Sequence, residues 1–369
     1  MWSGMKTFVY RHKKKFLVGG IVISGVIMAS KYTQRKLIEW QEQEAKEFLM
    51  KTRKDHHFRS TERTCNQTIC SLAETLRDTI TKLTNTDDLL IKIRNGEGNK
   101  VQLWEDLKVQ VFAQLSSLLY SGLMLVIVLR IQLNVIGGYM FKEKMDSQTY
   151  DMFSSTFQEH YLSLCHYFLN KGVKDICSLM EKHTRFVLEN ISLKQKLSLQ
   201  DIEHIFWAIQ SSLNNDPFDP MRNLPKYLLP PLFSNSIYKG VDSEKMKLIV
   251  DETFDILDSE EVKSIADSCI KRAYSNVVDK IASTYYSVPS MNLNATYFGK
   301  SSSPEDNDFK NITKISIPLA RIVPVIHGLY KEPPEESEEF TPWIHQFLMM
   351  DNINMLGANL YDAFSYSDL

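Results

Sequence analysis

Apolar residues recur at spacings of three and four along most of this chain, and the one early break in that rhythm is an uncharged run near the N-terminus. From Phe16 to Ser30 the sequence reads FLVGGIVISGVIMAS, between Lys13-Lys14-Lys15 and Lys31-Tyr32. A spanning helix usually needs about 17–25 apolar residues. This run is shorter, so crossing a bilayer requires Lys15 and Lys31 to snorkel, Tyr32 to sit at the interface and the bilayer to thin locally. Gly19, Gly20 and Gly25 weaken a soluble helix but are common in membrane helices. A cleavable signal peptide shares the basic start and the short apolar stretch, yet Met28 is a poor residue ahead of a cleavage site near Ser30. The expectation is a basic tail at 1–15, a transmembrane anchor at 16–32 and one large helical domain at 33–369. Lysines on both flanks of the anchor leave its orientation open.

Beyond the anchor the helical period continues. Residues 33–56 carry an apolar stripe of Ile38, Ala45, Phe48 and Leu49, with Glu42–Lys46 and Glu47–Lys51 as i,i+4 pairs in the favourable order. Leu72, Leu76, Ile80 and Leu83 continue the pattern until the Asn95-Gly96-Glu97-Gly98-Asn99 cluster predicts a loop. A long helix follows from Lys100 to about Leu133, ended by Gly137-Gly138. Further helices are predicted at about 146–170, 173–192, 199–213, 243–258, 260–286 and 342–364. Asp258 with Glu261 reads as a capping box, and Thr341-Pro342 as a cap with a first-turn proline. Loops fall at 214–225 and 289–309. No alternating strands with hairpin turns occur, so the fold class is all-α.

Residues Val111 to Leu129 carry no charge and include LMLVIVL, which fits a second membrane span. Gln114, Ser116, Ser117, Tyr120 and Ser121 interrupt the first half, and an all-round apolar helix is equally what the centre of a large bundle requires. The amphipathic start at Lys100 favours the buried alternative.

Composition narrows the function without naming it. The 369 residues are 43% hydrophobic with a net charge of -2, which supports a sizeable core and leaves no global footprint for nucleic acid. Charge is concentrated locally, in the basic run Arg11-His12-Lys13-Lys14-Lys15 and the acidic stretch Glu332 to Glu339. Five cysteines at irregular spacing read as free thiols in a reducing compartment. No metal-ligand spacing occurs, no cofactor is implied, and HExxH, GxSxG and GxGxxG are all missing. Gly299-Lys300-Ser301 imitates the tail of a phosphate loop but has Asn294 where the first glycine belongs. Acidic residues follow helix-surface spacing, so no carboxylate pair is singled out for acid–base work and an enzyme is not expected. Asn66, Asn190, Asn294 and Asn311 begin sequons, which matter only in a secretory lumen. A signal-anchored secretory-pathway protein is therefore the alternative reading, with a generic organelle tether beside it.

The most informative surface is the start of the long central helix. Lys100, Trp104, Leu107 and Lys108 fall on one helical face, framing a tryptophan and a leucine with two lysines. A peripheral core tryptophan covered by lysine stems accounts for that spacing. So does an aromatic anchor for a partner helix, and Ile93 and Arg94 then supply the groove's other wall.

Several stretches, in order along nearly the whole chain, resemble the peroxisomal biogenesis factor 3 (peroxin-3) family. They are the RHKKK run before the apolar segment, Lys31-Tyr32 with Gln34, Arg63-Thr64-Cys65-Asn66, Trp104-Glu105-Asp106-Leu107-Lys108 and Gln132-Leu133-Asn134-Val135-Ile136-Gly137-Gly138-Tyr139. Ile191-Ser192-Leu193-Lys194, the run from Ile317 to Pro324 and Tyr361-Asp362-Ala363-Phe364-Ser365 complete the match. The resemblance implies an integral peroxisomal membrane protein whose helical domain faces the cytosol, with the endoplasmic reticulum as a route of transit. It implies a docking receptor for peroxisomal biogenesis factor 19, the chaperone and import receptor of peroxisomal membrane proteins, arriving with its cargo. Peroxisomal membrane lipids are the other partner, and nucleic acid is none. Carried over by position, Trp104 is the central anchor of an apolar groove lined by Lys100, Leu107, Ile93 and Met140. Arg94, Lys108 and Arg321 are basic rim contacts, and Arg11 to Lys15 with the apolar segment form the targeting signal.

Overall fold

A computed structural model describes residues 13–145, 153–230, 243–287, 315–329 and 342–366. Their regular elements are helical apart from one pair of two-residue strands. The chain divides into two units, Met1–Arg59 and Ser60–Leu369.

The first unit holds the beginning of α1 (Lys13–Thr84). Most of its described side chains stand in solvent, including Tyr32, Leu37, Ile38, Trp40, Phe48 and Leu49, while Lys54, His57 and Phe58 are partly covered. The stripe predicted through Ile38, Phe48 and Leu49 thus exists as helix but is uncovered among the described residues. The helix-surface ion pairs recorded here are Lys36–Glu39 at 3.5 Å and Asp55–Arg59 at 3.1 Å, rather than the two that were expected.

In the second unit α1 turns a strict apolar stripe to the core, with Cys65, Ile69, Ala73, Leu76 and Ile80 all fully buried. Asn85 in the left-handed region (φ 49°) breaks the helix, and α2 (Thr86–Asn95) leads through the glycine turn into α3 (Lys100–Met145). This helix of 46 residues is the axis of the fold, and every residue from Val111 to Gly138 is buried. The uncharged run is therefore core inside this domain, wrapped by α1, α2 and most of the later helices.

Gly137 and Gly138 do not end α3 as expected, because they serve close packing. A Cβ on Gly138 would stand 2.7 Å from Phe364 Cβ, and one on Gly137 would stand 2.9 Å from Thr61 Cγ2. Beside them, buried Arg130 pairs with Glu62 and donates to Asn66 Oδ1 at 2.8 Å and Asn354 Oδ1 at 3.0 Å. Asn134 donates to Glu62 at 3.0 Å, which completes a polar network tying α1, α3 and the C-terminal helix together. Removing one member of such a buried charge network strands the others, at a cost of about 3–5 kcal/mol.

The helix expected over 146–170 is, among the described residues, α4 (Ser155–Ser163), α5 (Cys165–Tyr167) and a π-turn at Phe168–Gly172, with 146–152 outside them, and the helix expected over 173–192 is α6 (Val173–Leu188). Then come β1 (Lys196–Leu197), α7 (Leu199–Asn214), α8 (Leu224–Leu228), α9 (Ser243–Asp258) and α10 (Glu260–Ser287). Ser198 opens α7 with a reciprocal capping box to Asp201. At the α9–α10 junction Ser259, not Asp258, is the cap: its Oγ accepts from Val262 N–H at 3.3 Å, while Asp258 pairs with Lys263 at 2.9 Å. β2 (Ile317–Pro318) pairs antiparallel with β1 and runs into α11 (Leu319–Gly328), a helix the sequence reading missed. The segment expected as a single helix from 342 is divided into α12 (Pro342–Leu348) and α13 (Asp351–Ser365).

Candidate functional site

The α2–α3 corner brings most of the predicted site together. Gly96 and Gly98 both adopt φ 72°, a conformation only glycine takes without strain, and the chain reverses within four residues. Asn99 Oδ1 then accepts the Val101 N–H at 3.1 Å and caps α3. On this corner Ile93 and Trp104 are partly buried and pack against the core, and Leu107 is buried beneath. Arg94 and Lys100 are exposed. Sequence reasoning missed two neighbours on the same pair of helices, Ile91 and Val101, which are 53% and 71% exposed. A half-covered indole with exposed Val101 one helical turn before it suits an apolar helix face better than a small polar ligand.

Lys108 occupies a different place from the rim contact expected of it. It is buried, and its ammonium donates to the carbonyls of Ile191 at 2.7 Å and Leu188 at 3.1 Å while pairing with Glu105 at 2.5 Å. A lysine head excluded from water must be paid with such partners. The carbonyls it takes lie at and just beyond the end of α6, where helix termini lack donors and a cation is favoured.

That contact fixes a strap. From Ile191 the chain runs to Leu193 and Gln195, whose carbonyls accept the N–H groups of Ala320 and Leu319, each at 2.9 Å. Lys196 and Leu197 then pair with Pro318 and Ile317. Arg321, exposed in the first turn of α11, is thereby hung from the same corner as Trp104. At the other end of α11, His327 lies 3.6 Å from Asp87 of α2.

Met140 does not join this site. It lies 36 positions after Trp104 on one continuous helix, about 54 Å away at a rise of about 1.5 Å per residue. Its surroundings are the aromatic cluster of Tyr139, Phe153, Phe364, Phe141 and Tyr361 at the far end of α3. Lining one groove with Trp104 is excluded by that length.

Of the basic run, Arg11 and His12 lie outside the described residues, and for Lys13, Lys14 and Lys15 only the helical backbone is described. Asn294, Asn311, Gly299-Lys300-Ser301, Thr341 and the Glu332–Glu339 stretch also lie outside them. The Asn66 amide is taken up by Arg130, and Asn190 is exposed. Among the described residues no group of three or more His, Cys, Asp and Glu is placed to hold a metal ion.

One polar constellation was not foreseen. His183 stands between Ser212 Oγ, 2.7 Å from Nδ1, and Asp216 Oδ2, 3.0 Å from Nε2. Lys182 shares that same carboxylate oxygen at 2.9 Å and, with the Phe218 N–H, holds the Asp216 carboxyl down to about 2. Ser212 sits within α7, and the group joins α6, α7 and the following turn as an interhelical latch.

The family profile Peroxin-3 matches at residues 7–99, 94–141 and 140–332. Peroxisomal biogenesis factor 3 of Rattus norvegicus is 31% identical over 379 residues, covering 99% of this chain and 98% of that protein. The Homo sapiens protein of the same name is 31% identical over 382 residues with the same coverage. That of Yarrowia lipolytica is 20% identical over 444 residues, covering 98% of this chain and 99% of its own. The chain therefore belongs to the Peroxin-3 family of peroxisome biogenesis factors.

Proposed function

We propose that this protein is the docking receptor at the peroxisomal membrane for peroxisomal biogenesis factor 19 carrying newly made membrane proteins. The observation that carries the reading is Trp104, partly buried at the α2–α3 corner with Val101 uncovered one turn before it on the same helix. An amphipathic helix laid across this corner buries its apolar face against Trp104 and Ile93. Leu107 supports the floor, and Lys100, Arg94 and Arg321 offer charge at the edges. Lys108 belongs to the frame of this site rather than to its rim. Residues 16–32 anchor the chain in the membrane and the helical domain faces the cytosol, a reading supported by the family and by the apolar segment flanked by lysines.

Trp104→Ala tests the reading. An anchor tryptophan typically contributes about 2–4 kcal/mol, so binding of the chaperone's N-terminal helix falls at least about tenfold while the circular dichroism stays helical. Unchanged affinity in a folded Trp104→Ala protein removes the proposal.

A further inference from the structure

The strap that Lys108 secures carries two cations, Lys194 and Lys196, that the Trp104 groove does not use, beside Arg321 at the groove's edge. Lys194 and Lys196 alternate outward along the segment that pairs with β2, and Arg321 follows directly on the other side of the pairing. All three are exposed, and none has an ion-pair partner among the described residues. The acidic residues nearest in sequence are Glu189 and Asp201; neither forms an ion pair with Lys194 or Lys196, and Asp201 is turned to its own helix start, where it accepts from Ser198 N–H at 2.7 Å and Ser198 Oγ at 2.8 Å. The backbone beneath these cations is held from three sides: by Lys108, by the Leu193 and Gln195 carbonyls on α11, and by the Tyr285 hydroxyl donating to the Leu197 carbonyl at 3.0 Å.

We propose that Lys194, Lys196 and Arg321 form one preorganised basic surface for an acidic segment of the polypeptide whose helix occupies the Trp104 groove. This rests on the docking reading above. Three uncompensated charges on a rigid turn favour a complementary anionic chain and hasten its arrival. An acidic peptide fits better than a lipid surface. Membrane-surface binding couples basic charge to inserted apolar side chains, and no large exposed apolar residue lies between Glu189 and Ser198 or between Ile317 and Arg321.

The test uses the full chain in detergent and two synthetic probes: the N-terminal helix of the chaperone alone, and the same helix extended by four glutamates, placed at either end in turn. At low salt one extended peptide binds about tenfold more tightly than the plain helix, and the gain shrinks as salt rises. Lys194→Gln with Lys196→Gln cuts that gain to about twofold or less and leaves the plain helix bound as before. No gain in the wild type, or an undiminished gain in the double variant, overturns the proposal. So does displacement of the extended peptide by mixed micelles of the detergent with phosphatidylserine but not by those with phosphatidylcholine. Loss of both peptides in Trp104→Ala with no tail effect in the wild type removes only this surface; full binding of both by Trp104→Ala removes the docking reading itself.

Discussion

The ammonium of Lys108 meets the carbonyl of Ile191 at 2.7 Å, across 83 positions of sequence. Through that bond a residue of the central helix holds the strap that places Arg321. Lys108→Met keeps the stem and removes the donor, leaving the Leu188 and Ile191 carbonyls without it. The cost is about 1–3 kcal/mol of stability, read as an earlier denaturation midpoint. The Ala320 amide, bonded to Leu193 in the same strap, exchanges faster with solvent. An unchanged midpoint together with an equally protected Ala320 amide contradicts this role.

The two ends of α3 separate Met140 from the residues proposed to dock a partner helix. Val101 is 71% exposed one turn before Trp104, whereas Met140 is about 54 Å further along the helix. Val101→Asp puts a charge on the apolar corner and weakens binding of the partner helix about tenfold. Met140→Ala leaves that affinity as it was. The comparison is a single titration series, and a Met140 effect as large as that of Val101 would overturn the geometry.

Glycines at the far end of α3 carry stability rather than flexibility. Gly138→Ala drives a methyl to 2.7 Å from Phe364 Cβ and 3.0 Å from the backbone carbon of Phe364, so α13 must shift. The expected loss is about 1–3 kcal/mol. Gly96→Ala meets open space and suffers only its positive φ, at about 1 kcal/mol. Thermal melts of the two variants order them; the reverse order would show that α13 yields without cost.

Asp216 links stability to acid. The Lys182 ammonium first, then the Phe218 N–H and His183, hold its carboxyl at about 2, below the ordinary value of 3.8. A carboxyl depressed by folding stabilises the native state above its unfolded value, and that contribution fades as pH falls from about 4 to about 2. Lys182→Ala removes the largest cause, so the Asp216 titration moves upward and the acid-sensitive contribution shrinks. Carboxyl-detected NMR titration of both proteins measures it directly; an unmoved Asp216 midpoint would count against the Lys182 contact.

Much of this architecture was legible in the sequence because helical period and turn chemistry are local. The loop at Asn95–Asn99, α7, α9 and α10 follow from spacing and breakers, and the Val111–Leu129 run reads as core once its amphipathic lead-in is weighed. What failed depended on distant partners. Gly137-Gly138 looks like a helix end unless Phe364 and Thr61 are known to press against it. Ending the helix there also hid how far Met140 stands from Trp104. Lys108 resembles a snorkelling neighbour of Trp104, since nothing local announces the Leu188 and Ile191 carbonyls above it. Pro324 disguised α11, though it sits exposed and leaves only the Ala320 carbonyl of the first turn without its helical donor.

The burial of α3 has a consequence for synthesis. Before the domain closes, Val111 to Leu129 is an uncharged stretch that an insertion machinery reads as a membrane span. Its shelter comes from both chain directions: α1 and α2 precede it, but α13, which packs along it, is made after every other described helix. Folding and insertion would then compete for the same stretch until α13 docks against it. Truncating α13 would do more than lower stability; it would prolong the interval in which the core of the domain resembles a membrane span.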